Sequence, residues 1–465
     1  MDLCVDGALS RTLKPRLKRH LLSSLLCLGR HTVTGLLCTA GRQQCDWSAD
    51  YRLFARERID KDALFAKVQS EILKVLPSAG PLVLALDDTR IRKWGKRTAG
   101  VSVMRDPLGL PYHPNLMRGQ RFLQISLACP EGEGGARLLP VDFTHAPLAV
   151  KPRRSAPPDK WEAYRRQQRE LRLGRAGADR LAALRASLDT QPGGAGRRLI
   201  CSVDGGFTNG TFLKRLPGRC TVIGRIRGDA TIFSLPEEQP GRGRRRIYGK
   251  RAPTPKELYA DADVPWQEIT VHFSAAAHKV RVKTLSPVRW RSAGAIALRL
   301  VVIAPIRLHS TPQGRWTYRE PAYLICTDPD LPLEELVQDY IWRWEIENNF
   351  RDEKTVLGIG QAQVRGVNSV ECVPAVGVAA YSLLLLAGLK LYGRQGRPLE
   401  LPPPKWNRRA GRRITTQQLV MLLRYQMWGS NIIYCGFELK ERPDAKPQKC
   451  NLTLAPALFY GAACA

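Results

Sequence analysis

The chain has 465 residues, with 73 Lys and Arg against 42 Asp and Glu, a net charge of +31 and a hydrophobic fraction of 44%. That length supports about two to four domains and a large core, and the apolar content excludes a basic disordered tail. The charge favours a polyanionic partner, nucleic acid before an anionic membrane. The 12 cysteines form no CxxC or Cys/His cluster of zinc spacing, which argues against a zinc finger and, with no signal peptide in view, for reduced cytosolic thiols.

Residues 1–80 read as short helices: LSSLLCLGRHTVTGLLC has helical apolar spacing, and DALFAKVQSEILKVL is amphipathic after Asp60. Together with the basic opening RTLKPRLKRH they suit a helical DNA-binding domain, and a plain helical subdomain almost as well. At Pro81 the character changes. VLALDDT is an apolar run rich in strand formers that ends on Asp87 and Asp88, as a central strand delivering an acid at its tip would. Strand candidates follow at VSVMRD, RFLQISLAC and ARLLPVDF, and Lys160–Leu188 is helical and basic. Between Val150 and Arg198 there are 13 Lys and Arg against five Asp and Glu. A solvated face and a phosphate-facing one fit that segment equally well.

RRLICSVDGG repeats the strand-then-acid pattern, ending on Asp204 before Gly205 and Gly206, which would let the backbone turn tightly and leave the carboxylate uncrowded. TNGTFLKRL predicts a short helix and TVIGRIRG a further strand. From Asp229 to Glu320 the composition shifts. GRGRRRIYGKRAPTPK carries seven basic residues and no acid, and the alternating runs QEITVHF, HKVRVKTL, AIALRLVVIAP and RWTYRE predict a β-rich insertion. AYLICTD resumes the core pattern. Val373–Leu389 is the most apolar stretch, short for a membrane span and interrupted by Pro and Gly, so a buried helix is expected. The tail from about Gly393 mixes a Pro-rich basic stretch with one helix, TTQQLVMLLRYQMW.

The stretch Tyr340–Lys354, YIWRWEIENNFRDEK, has no Pro or Gly and predicts one uninterrupted helix. On it Tyr340, Arg343, Glu347 and Lys354 fall within an arc of roughly 60°, beside an apolar stripe of Trp342, Ile346, Phe350 and Leu357. A solvated polar face is the simplest reading of those four alone. Three acids nevertheless stand out by context: Asp87 or Asp88 at one strand end, Asp204 at another, and Glu347 on a helix. Such carboxylates, brought together, supply oxygen ligands for Mg²⁺ or Mn²⁺, and two ions about 3.5–4 Å apart can serve in-line phosphoryl transfer.

The spacing Tyr340-xx-Arg343-xxx-Glu347-x(6)-Lys354 resembles the Y-R-E-K motif of bacterial insertion-sequence DDE transposases of the insertion-sequence-four type, LALDDT resembles that family's first-acid strand, and ICSVDGGFTN its second. The resemblance spans about residues 81–390. It implies an α/β fold with an RNase H-like mixed-sheet core interrupted by a β-rich insertion and flanked by helical N- and C-terminal segments. The expected division is a helical DNA-binding domain at 1–80, the first part of the core at 81–228, the insertion at 229–320, the second part of the core at 321–392 and a C-terminal segment at 393–465. It further implies that Asp88, Asp204 and Glu347 are catalytic and hold the metal, Mg²⁺ or Mn²⁺ and two ions. Asp88 is preferred over Asp87 because it directly precedes Thr89. Tyr340, Arg343 and Lys354 would bind DNA phosphates, consistent with the fork, point charge and hydroxyl they offer. Tyr323 or Trp316 would stack on a flipped base.

The implied function is a transposase that cleaves double-stranded DNA at transposon terminal inverted repeats and joins the 3′-OH to target DNA, as a homodimer, in the bacterial cytoplasm at the nucleoid, with no membrane partner. The alternatives are a non-transposing RNase H-like DNA nuclease and an inactive transposase-derived DNA-binding protein.

Overall fold

The computed structural model describes residues 12–434 apart from 96, 107–108, 111–114, 239–243, 274–275, 310–315, 319 and 394–412. Part of the basic loop that begins at Gly241 and most of the expected C-terminal segment lie outside the described residues.

Four helices come first: α1 (Lys14–Leu26), α2 (Val33–Thr39), α3 (Ser48–Ala55) and α4 (Lys61–Leu73). The Thr32 and Asp60 side chains cap α2 and α4 by accepting from the third backbone amide beyond. Leu17, Leu21 and Leu25 of α1 and Leu64, Val68 and Ile72 of α4 are fully buried in the same apolar cluster as the central sheet. These helices are therefore packed onto the core.

The core strands are β1 (Leu82–Arg92), β2 (Ser102–Arg105), β3 (Leu116–Pro130) and β4 (Ala136–His145). The region 160–188, expected as one helical stretch, forms two helices, α5 (Pro158–Glu170) and α6 (Leu173–Asp189), parted at Leu171–Arg172. β5 (Leu199–Val203), the one-turn α7 (Gly210–Leu213) and β6 (Cys220–Arg225) follow. β1 lies antiparallel to β3 and parallel to β5, β5 is parallel to β6, and β3 is antiparallel to β4. This mixed sheet, with β1 between an antiparallel and a parallel half, is consistent with an RNase H-like arrangement.

Residues 229–320 contain β7 (Ile232–Phe233), β8 (Arg251–Ala252), α8 (Pro255–Ala260), β9 (Gln267–Phe273), β10 (Ala276–Trp290), β11 (Leu298–Ile303), β12 (Arg307–His309) and β13 (Trp316–Tyr318). The expected strands are there, but β7–β11 do not form a sheet of their own. β11 pairs with β14 (Ala322–Cys326), which pairs with β6, so β7–β11 extend the core sheet to 12 strands. Strand pairing between distant segments leaves no mark in local alternation, so the continuity was invisible in sequence.

The chain then enters α9 (Leu333–Trp342), α10 (Glu345–Thr355), α11 (Val367–Tyr392) and α12 (Thr416–Tyr434). Among the described residues α11 is the helix long and apolar enough to cross a membrane, and its apolar side chains are mostly buried between the sheet and the N-terminal helices.

Candidate active site

One strand, the tip of a second and one helix pair build the site. β1 enters as a buried apolar strand and carries Asp87 and Asp88, only partly buried, in mid-strand; it was expected to end on them but runs on to Arg92 paired with β3. Side chains alternate along a strand. Val83 and Ala85 therefore face Trp342, Ile346 and Phe350 of the helix pair, and Leu84 and Leu86 face the cluster that includes α4 and α6. Alanine at 85, 128 and 136 keeps the sheet surface low where Ile346 and Phe350 press against it. Each of those two side chains contributes about 1.5–3 kcal/mol by leaving water.

β5 runs parallel to β1, with Leu86 opposite Val203, so Asp204 leaves the sheet beside Asp87. The turn after Asp204 is held by its carbonyl, which accepts from Phe207 N at 3.0 Å and from Thr208 Oγ1 at 3.2 Å. Asn209 then caps α7 by accepting from the amides of Thr211 and Phe212. Neither Gly205 nor Gly206 has a positive φ, and a Cβ at Gly206 would meet nothing, so the glycines leave open space beside the acid and are not needed for the turn itself.

The helix expected to run unbroken from Tyr340 to Lys354 is jointed. α9 ends at Trp342 and α10 starts at Glu345. Across the joint the amides of Arg343, Trp344, Ile346 and Glu347 donate to carbonyls three residues back, at 3.0–3.2 Å. This tighter winding needs no Gly or Pro and re-phases the side chains on either side of it. Tyr340 is thereby buried against Ile200, Ile223 and Leu324, while Glu347 is exposed.

Arg343 sits in the joint with its side chain 7% exposed. Its Nη1 donates to Asp87 Oδ2 at 3.2 Å, its Nη2 lies 3.9 Å from Glu347 Oε1, and its guanidinium is stacked 5.5 Å from the Tyr340 ring centre. Burial works to discharge Arg343, but Tyr340, Asp87, Asp204 and Glu347 outweigh it and hold the guanidinium charged. Asp87 is pushed up to about 7, first by burial and then by Asp88 and Asp204, against the pull of Arg343 and of the Asp88 amide, which donates to Asp87 Oδ1 at 2.8 Å.

Asp88 has other company. Burial raises its pKa, and Asp204 adds to this, while Arg121, Arg90 and Lys354 oppose it. Its ion-pair contact among the described residues is long, 3.9 Å from Arg90 Nε. Arg121 is held by the carbonyls of Ala146, Pro147 and Leu171 and is itself buried. Lys354 is exposed; the protein around it lowers its pKa, against Glu353, Asp88 and Asp106. All six residues singled out in sequence, Asp88, Asp204, Tyr340, Arg343, Glu347 and Lys354, are thus in one neighbourhood, linked electrostatically through Asp204 and Arg343. Arg343 and Tyr340 are the exceptions: Arg343 is buried on Asp87 and Tyr340 against the sheet, where surface phosphate grips were expected.

Sequence reasoning missed Asp87 as the anchor of Arg343, Arg121 inside the apolar strand RFLQISLAC, and the underside of α10. There Asn349 Nδ2 donates to Ser126 Oγ and the Leu138 carbonyl at 3.2 and 3.1 Å, Tyr381 Oη donates to Asn349 Oδ1, and Gln124 donates to Ser126. Glu353, one turn on, is wholly buried beside Gln124, and burial pushes its pKa up to about 8. The i,i+4 pair Asn349 and Glu353, on the same face as Ile346 and Phe350, was the available signal.

Among the described residues no group of three or more His, Cys, Asp or Glu side chains is placed to hold a metal ion. The Arg343 guanidinium already stands against Asp87 and near Glu347. The acids as arranged do not make the two-ion site implied by the resemblance.

A family described as DDE superfamily endonuclease matches residues 4–295. The matched residues include both aspartate-bearing strands and stop short of the jointed helix. No curated protein matches the chain.

Proposed function

The chain belongs to the DDE superfamily of endonucleases, and from that premise we propose that it is a transposase of the insertion-sequence-four type, cleaving double-stranded DNA at transposon ends and joining the freed 3′-OH to target DNA. Endonucleases of this superfamily act on DNA and generally use divalent metal ions. The observation that supports the reading is that the parallel pairing of β1 and β5 brings Asp87 and Asp88 beside Asp204, and that Arg343 ties the helix joint next to Glu347 to Asp87.

In this reading Asp88, Asp204 and Glu347 are the reacting acids. Asp87 is tied up by Arg343, whereas Asp88 has no close ion pair and keeps its oxygens for the reaction. Lys354, Arg90 and Arg121 ring Asp88 and offset the charge of an incoming phosphodiester. Arg343 holds the α9–α10 joint and with it the direction of Glu347. Tyr340, buried against the sheet, supports Arg343 through its ring. Mg²⁺ or Mn²⁺ as the family's ion, a homodimer on paired ends and a cytoplasmic, nucleoid-bound location belong to the same proposal.

The rival with most support is a nuclease that cuts without joining, because the family match supports endonuclease chemistry and stops before the Y-R-E-K residues. Pre-cut duplex ends incubated with the protein, supercoiled target plasmid and Mg²⁺ or Mn²⁺ separate the two. Covalent joining of labelled ends to the plasmid is expected; cleavage of uncut DNA with no joining would leave the nuclease.

A further inference from the structure

Helix α5 has 13 residues and none of them is buried. Trp161, Ala163 and Tyr164 are half-buried on one side, where Lys151 lies over the Trp161 ring at 5.9 Å and the two aromatic rings meet edge-on. On the other side Arg165, Arg166 and Arg169 share an arc of about 100° in which Glu162 is the acid. Residues 151–175 hold nine Lys and Arg and three Asp and Glu. Among the described residues Lys160, Arg165, Arg166 and Arg169 have no ion-pair partner.

A helix this short is marginal in water unless something packs on it, since most helical stability in proteins comes from a buried face. α5 carries the wrong side chains for an apolar partner and the right ones for phosphates. It is also linked to the candidate site: the carbonyl of Leu171, the residue that follows α5, accepts from Arg121 at 3.4 Å, and Arg121 is a buried cation whose charge acts on Asp88.

We propose that α5 is a second DNA-contacting surface, a basic rail along which the duplex flanking the reacting phosphodiester lies, gripped through phosphates by Arg165, Arg166 and Arg169. The inference rests on the reading of the chain as acting on double-stranded DNA. At 1.5 Å per residue α5 is about 20 Å long, and at 3.4 Å per base pair it tracks about six base pairs from the site. Phosphate contacts of this kind carry no sequence information, so the rail sets position and affinity and leaves specificity to other parts of the protein.

The test is binding of a labelled random-sequence duplex of about 40 base pairs to the full chain and to its R165Q/R166Q/R169Q variant, by anisotropy, between about 50 and 200 mM salt. Each lost phosphate contact shallows the slope of log affinity against log salt by about 0.9, so a slope reduced by about 2–3 and an affinity at least about tenfold weaker are expected. R165E/R166E/R169E is expected to bind more weakly still. Because no α5 residue is buried, both variants are expected to melt with the wild-type chain. Unchanged affinity and slope would overturn the proposal. So would a changed oligomeric mass at unchanged slope, which would make α5 a protein-binding face, and so would a wild-type chain that binds no duplex. Cleavage with no slope change would sink the rail alone; a slope change in a chain that neither cuts nor joins would sink the catalytic reading and leave the rail.

Discussion

The two faces of α10 use polar side chains in opposite ways. Glu347 and Lys354 stand exposed on one side of the helix, Glu347 next to Arg343 and Lys354 in the field of Asp88. Asn349 and Glu353, 3% and 2% exposed, are sunk among Ile346, Phe350 and the sheet. Apolar packing alone fixes a helix to a sheet loosely, because methyl and phenyl contacts tolerate sliding. Directional bonds from Asn349 to Ser126 and the Leu138 carbonyl admit one position, and a buried polar group left unmatched costs about 1–3 kcal/mol. In the proposed reading the outer face carries the chemistry, and the inner face decides where it stands.

That division can be broken from either side. The largest effect is expected at the outer face. Glu347→Gln should lower end cleavage by roughly 10²–10⁴-fold while DNA binding and melting stay close to wild type. Near-normal cleavage by that variant would remove Glu347 from the reaction. At the inner face Asn349→Leu should do the reverse. It removes the acceptor of Tyr381 Oη and the side-chain donor to the Leu138 carbonyl, and should cost about 1–3 kcal/mol in chemical unfolding. A melting curve that did not move would show that α10 is held by its apolar contacts.

Glu353 gives the same division a pH signature. Its folded-state pKa, raised to about 8, lies above its ordinary value. The folded state thus binds more protons than the unfolded one in between, and stability falls as pH rises across that window. Asp87, raised to about 7, and Asp339, raised to about 8, act in the same direction. Glu353→Gln keeps the shape without the proton, so its melting temperature should decline less between about pH 5 and 8 than that of the wild type. An identical decline would mean that Glu353 does not titrate in that window. The smallest effect is at Lys354. Lys354→Ala should shallow the salt slope of DNA binding by about 0.9, and an unchanged slope would place the ammonium away from phosphate.

Much of this frame was legible in the sequence for local reasons. The apolar run before Asp204 became β5, the run before Asp88 became the first half of β1, which runs on to Arg92, and the amphipathic residues after Asp60 became α4. The apolar stretch at 373–389 became the buried centre of α11. What escaped depends on contacts between distant residues. Nothing in YIWRWEIENNF marks the joint at Arg343 and Trp344, which is made by bonds three residues back within good helix formers. Glu353 reads as one more solvated charge until β3 is laid beneath it. Asp87 and Asp88 are alike in sequence, and only the strand's alternation and Arg343 tell them apart.

That last pair offers the most direct measurement. Single-turnover cleavage of end-bearing DNA should be followed for Asp88→Asn and Asp87→Asn, with binding measured alongside. Asp88→Asn is expected to bind DNA and lose cleavage by roughly 10²–10⁴-fold. Asp87→Asn, whose amide oxygen can still accept from Arg343, is expected to stay within about tenfold of wild type, the loss of about one such bond. Asp88→Asn cleaving at the wild-type rate would contradict the assignment of the site.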